Sequence, residues 1–227
     1  MKIASRKQRI TLLLVLAALA SITGTIVGAI QAGVHGPSFA SQLPAFKIAA
    51  ARAALIARYV FHAFQALGID GFWTLISALG VGIFLNNALV ALVIAFAPPL
   101  ILLAKPFSGK YLAKIYYKHG IWLFKPIGWK VYRILAAVLP IYGLGLQFYL
   151  IGGVALTCNS ILLKAVFLPL EVASITALCI IAITPALSEN PSQDLTKYFD
   201  LLKKSLPIVL LMLFMAALLE AYSLLAA

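Results

Sequence analysis

A chain of 227 residues with 63% hydrophobic side chains and only 11% charged ones is no water-soluble domain, in which about 25% of residues carry charge. Its formal net charge of +12 would suit a nucleic-acid binder, but the cations sit beside long apolar blocks, where they act in membrane orientation and lipid contact. Cys158 and Cys179 are too few and too distant for a disulfide framework or a zinc site, and His35, His62 and His119 lack metal-ligand spacing; no metal, no cofactor and no nucleic acid is expected.

A spanning helix needs about 20 apolar residues, because the hydrocarbon core is about 30 Å thick and each residue rises about 1.5 Å. By that measure the chain reads as one all-α integral membrane domain over 1–227, a polytopic helical protein with about five transmembrane helices plus interfacial amphipathic helices. The first span, 10–30, follows a basic head of Lys2, Arg6, Lys7 and Arg9. Basic head, apolar run and Ala18-Leu19-Ala20 also fit a cleavable signal peptide. The run stays apolar for a further turn past that triplet, which favours an uncleaved anchor. Ala20, Gly24, Gly28 and Ala32 recur every fourth residue as a smooth ridge that lets helix backbones approach in lipid. Packing within the subunit is one use for it, and a homo-oligomer through Gly24 and Gly28 is the other.

Gly33, Gly36, Pro37 and Pro44 then break the chain. Over 46–69, Lys47, Arg58, His62 and Gln65 fall on one side of a helix, with Ile56, Val60, Phe64 and Leu67 opposite. That pattern suits a helix in the membrane interface better than one crossing the bilayer. The second span, 72–103, is long and is interrupted by Gly80, Gly82, Asn86, Asn87 and Pro98-Pro99; the proline pair removes backbone donors and predicts a kink near its end. The third span, 131–157, has close-packing points at Gly143, Gly145, Gly152 and Gly153. The fourth and fifth cover 161–187 and 206–226.

Threading follows from the cations. With five spans, Lys2, Arg6, Lys7, Arg9, Lys105, Lys110, Lys114, Lys118, Lys125, Lys130, Arg133, Lys197, Lys203 and Lys204 share one side. Only Lys47, Arg52, Arg58 and Lys164 remain for the other. A crossing at 46–69 would reverse this asymmetry. The positive-inside rule therefore puts the N-terminus in the cytoplasm and the C-terminus outside, in the cell membrane.

The inner loop 105–130 mixes Lys105, Lys110, Lys114, Lys118, Lys125 and Lys130, with Arg133 just beyond, among Tyr111, Tyr116, Tyr117, Trp122, Phe124 and Trp129. Rings at the apolar boundary and cations on anionic lipid make it a headgroup-level platform, with the bilayer's anionic inner leaflet as partner. The shorter loop 188–205 starts a helix at Asn190-Pro191 and then alternates Glu189, Asp194 and Asp200 with Lys197, Lys203 and Lys204.

An ionised group at mid-bilayer costs about 2.5–3.5 kcal/mol on insertion scales, so it is paired, neutralised or turned inward. Lys164 and Glu220 stand at similar depth, which predicts an ion pair between the last two spans. Glu171 matches the depth of Gln147, with Asn86 and Asn87 somewhat deeper. These four predict a polar cluster joining spans two, three and four. Structural glue and a small polar site or relay are both open readings of it. Catalytic machinery is not expected: Ser108-Gly109-Lys110 lacks the earlier glycine of a phosphate loop, no His-Glu-x-x-His motif occurs, and Ser160 with Lys164, four apart, reads as a serine near a helix start beside a snorkelling lysine rather than as a serine–lysine pair.

Phe84-Leu-Asn86-Asn87-Ala-Leu-Val, the glycine-spaced third span, Leu168-Pro169-Leu-Glu171-Val-Ala-Ser-Ile and Ala216-Ala-Leu-Leu-Glu220-Ala-Tyr resemble the stage II sporulation protein M family over residues 80–225. That family has about five spans, a double asparagine in the second, a Pro-x-x-Glu-like motif in the fourth and a glutamate near the end of the last. Phe167-Leu168 stands where the family commonly shows a His-Gly pair, a departure that weakens any shared chemical role. The resemblance implies a non-enzymatic scaffold or subunit of a larger membrane complex with protein partners, and it does not imply sporulation. The alternative is a transporter or permease subunit whose polar site lies around Glu171.

Overall fold

The computed structural model describes residues 6–36, 43–157, 161–187 and 191–225. Among them are seven α-helices and no strand: α1 (Arg6–His35), α2 (Pro44–Ala66), α3 (Phe72–Phe107), α4 (Ala113–His119), α5 (Trp129–Thr157), α6 (Ile161–Ile183) and α7 (Pro191–Leu225). Five helical runs are long and apolar enough to cross a membrane: Leu14–His35, Phe72–His119, Trp129–Gly153, Phe167–Leu187 and Leu195–Leu225. The protein is an all-α polytopic membrane fold.

Both basic connections between spans are largely helical. The run Phe72–His119 is a single stretch of 48 residues, about 72 Å of helix and more than twice the hydrocarbon thickness. It passes through Pro98, Pro99 and Pro106 and continues through a π-helical turn at Ser108–Leu112 into α4. The segment 105–130 is therefore a helical extension of the second span followed by a short return, in which the 3-10 turn Trp122–Phe124 precedes the start of α5 at Trp129. Likewise 191–205 forms the first turns of α7, continuous with the fifth span. Pro106, Ser108 and Gly109 all fall within 105–119, yet the helix runs past them by way of the π-helical turn Ser108–Leu112.

Three packings set the architecture. Helices α1 and α5 run parallel and very close: Gly24 rests on the Gly145 carbonyl, Gly28 on the Tyr149 carbonyl, and Gly152 on the Thr25 carbonyl. A methyl at any of the three would collide with backbone. The ridge expected from the sequence is thus spent inside the subunit. A homo-oligomer through Gly24 and Gly28 would have to displace α5, so that expectation gives way to internal packing.

The segment expected at the interface forms α2, and it does not lie apart from the bundle. The link Leu67–Gly71 turns the chain with positive φ at Gly68 (72°) and Gly71 (124°). Gly82 then meets the Ala53 carbonyl and the Ala57 side chain, and Arg52 reaches Asn86. The paired numbers fall on one side as they rise on the other, so α2 lies antiparallel along α3.

Helix α7 is antiparallel to α3 as well. Phe84 and Phe214 meet edge to face at 5.3 Å, while Trp73 stacks on Tyr222 at 6.4 Å. The core lies between α3, α5, α6 and α7, where Leu144, Leu178 and Leu213 have no exposed surface. Ile94 packs over Gly143. A second cluster of Leu102, Tyr132, Ala136 and Ala186 closes the end nearer the basic segment.

Prolines inside this core leave backbone carbonyls without their helical donors, because the i+4 residue has no N–H. Pro99 deprives Ala95 in this way. The hydroxyl of Tyr198, only 3% exposed, donates to that same Ala95 carbonyl at 2.5 Å. A side chain from α7 thus satisfies a group that α3 cannot satisfy for itself, as apolar surroundings demand.

Candidate functional site: an intramembrane polar chain

Consecutive residues on a helix point about 100° apart, so Asn86 and Asn87 on α3 face two different neighbours. Asn86 turns to α2 and accepts a hydrogen bond from Arg52 Nη2 on its Oδ1 at 3.0 Å. Its own amide donates to Asn87 Oδ1 at 3.3 Å. Asn87 turns to α6 and donates to Glu171 Oε1 at 3.4 Å. Gln147, from α5, shares a side-chain hydrogen bond with the same carboxyl. Four helices are joined by one line of donors and acceptors that begins at a guanidinium and ends at a carboxylate.

The structure therefore brings Asn86, Asn87, Gln147 and Glu171 together, all half-buried, and adds Arg52. The sequence held a signal for Arg52. It lies about 140° from Lys47 around the helix, whereas Arg58, His62 and Gln65 lie within about 60° of Lys47. A lone cation outside the polar face of an amphipathic helix has a partner to meet, and the partner is Asn86.

The partner expected for Glu220 is Lys164. The side chain of Lys164, like Ser160, lies outside the described residues, so the Lys164–Glu220 pair is not part of the described structure. Among the described residues, Glu220 stands near enough to Glu171 for the two carboxyls to interact electrostatically. The polar region thus holds one guanidinium, two carboxyls and three carboxamides. Among the described residues no three His, Cys, Asp or Glu side chains gather as a metal site.

Along α3 toward its carboxyl end, the polar chain stops at an apolar layer. Ala91, Ile94 and Ala95 of α3 pack there with Leu144, Leu178, Cys179 and Leu213. The Cys179 thiol is free and buried in this layer.

At the far end, Lys110, Lys114, Lys118, Lys125 and Lys130 are exposed, while Lys105 and Arg133 are half-buried. Lys105 Nζ sits over the Trp129 ring at 5.4 Å, and Lys110 Nζ over Tyr111 at 5.4 Å. The first of these ties the outgoing helix α3 to the start of α5. Compared with family models, with characterised proteins and with solved structures, the chain matches none.

Proposed function

We propose that this protein is a non-enzymatic, multi-pass scaffold or subunit of a larger complex in the cell membrane, with its N-terminus in the cytoplasm. The observation that carries the reading is that the polar side chains pair with one another across four helices. Arg52, Asn86, Asn87, Glu171 and Gln147 use one another as partners. An apolar layer with fully buried Leu144, Leu178 and Leu213 lies beside them. Polar side chains that satisfy each other between helices hold a bundle together; a permeation path needs groups left over to replace the hydration of what passes. The resemblance to the stage II sporulation protein M family points to the same role. The asymmetry of the cations supports the orientation.

One feature favours a second reading, a transporter or permease subunit. Pro98, Pro99, Pro140 and Pro185 are all buried, and prolines inside spanning helices release carbonyls of the sort that line substrate paths. Purification in mild detergent, with identification of the chains that come with it, separates the two. The scaffold reading expects one or more partners at fixed stoichiometry. A solitary chain that moves a solute in proteoliposomes would overturn it.

A further inference from the structure

The hairpin between α3 and α5 is the most basic stretch of the chain, and it is left uncovered. From Lys105 to Arg133 it holds seven Lys or Arg and no Asp or Glu. Its outgoing arm ends at Gly120, which takes a left-handed conformation (φ 66°) that turns the chain. The tip follows at once. Trp122 is 77% exposed and Leu123 80%, and Tyr117 on the outgoing arm is 78% exposed. Lys118 and Lys125 flank the tip on either side, and both are exposed.

Exposed cations by themselves would suit any acidic surface. The tip narrows the choice, because an indole and a leucine presented together to the outside gain nothing from a hydrated acidic partner. They gain from the boundary between headgroups and acyl chains, where tryptophan and tyrosine concentrate and lysines meet lipid phosphate. The hairpin is rooted at both ends in helices long enough to span the membrane, so its tip is never further from the lipid than its own length. The outgoing helix also has the features at which long helices bend: Pro98, Pro99 and Pro106, then the π-helical turn Ser108–Leu112.

We propose that Trp122 and Leu123 insert into the headgroup boundary of an anionic leaflet, held there by Lys114, Lys118 and Lys125. This surface does not depend on the complex-subunit reading. It would hold the end of the long helix to the bilayer and would make the protein's packing sensitive to the charge of the surrounding lipid.

The chain has three tryptophans, so Trp73→Phe with Trp129→Phe leaves Trp122 as the sole indole of the full-length protein. Reconstituted into nanodiscs of phosphatidylcholine and phosphatidylglycerol, Trp122 is expected to emit at shorter wavelength and to lose intensity when the acyl chains are brominated. Both effects should vanish in pure phosphatidylcholine and in Lys114→Gln/Lys118→Gln/Lys125→Gln. If the double tryptophan variant does not fold, the difference in quenching between the native chain and Trp122→Phe, a change at an exposed position, gives the same readout. No quenching in the anionic discs would place the tip in water and overturn the proposal. Equal quenching in both lipids would overturn its anionic character.

Discussion

Replacing Tyr198 by Phe removes one hydroxyl from the core and leaves the Ala95 carbonyl with no donor, since Pro99 has no N–H to offer it. A buried acceptor stripped of its partner costs about 1–3 kcal/mol in soluble proteins. Interhelical side-chain bonds in membranes average about 0.6 kcal/mol and reach about 1.7. Tyr198 is 3% exposed, too little for water to replace the lost bond, so the cost belongs near the upper membrane value, about 1–2 kcal/mol. For a chain of this length that lowers the unfolding midpoint by about 2–8 °C. The decisive assay is a double-mutant cycle by thermal unfolding in detergent. Pro99→Ala returns a backbone N–H to Ala95, so in that background Tyr198→Phe should cost about 0.5 kcal/mol or less. The cavity left by the proline ring is common to both sides of the cycle and cancels. Equal losses in the two backgrounds would show that Tyr198 stabilises by packing alone, and the account of the orphaned carbonyl would be wrong.

Glu171→Leu should destabilise by about 1–3 kcal/mol, because Asn87 and Gln147 lose their shared acceptor, while Glu171→Gln keeps a hydrogen-bonding group and should lose less than half as much; the order of the two unfolding midpoints checks this. Gly28→Leu should separate α1 from α5, since the new side chain meets the Tyr149 backbone, and an unfolding midpoint in detergent equal to that of the native chain would refute the close packing. Arg52→Ala should free α2 from α3, read as faster proteolysis in the Leu67–Gly71 link, and Arg52→Lys should restore part of the protection because the ammonium can still donate to Asn86. A cysteine at Lys114 should be modified only by reagents that enter the cytoplasm; modification by an impermeant reagent in intact cells would invert the threading.

Hydropathy is a local property, and what depends on it was legible along the chain: the membrane class and the five helical runs long and apolar enough to cross a bilayer. The ridge of Gly24 and Gly28 was visible as a close-packing surface. So were the polarity of Asn86, Asn87, Gln147 and Glu171 and the backbone damage done by Pro98-Pro99. Each of these is a demand for a partner. Which partner answers depends on helices that lie far apart in sequence, and no periodicity encodes that. Ala95 finds its donor 103 residues away. Gly24 is matched by Gly145 rather than by a second copy of itself. Arg52, assigned to an amphipathic surface segment, becomes the outer end of the polar chain because α2 folds back on α3. The segment 105–130 shows the same limit: composition marks where apolar residues end, but a helix ends only where backbone hydrogen bonding fails, and there it does not fail until Gly120. Where lipid is the solvent, the sequence by itself specifies which groups must be satisfied, and only the tertiary structure decides by whom, because satisfaction requires contact and contact is a property of the folded chain.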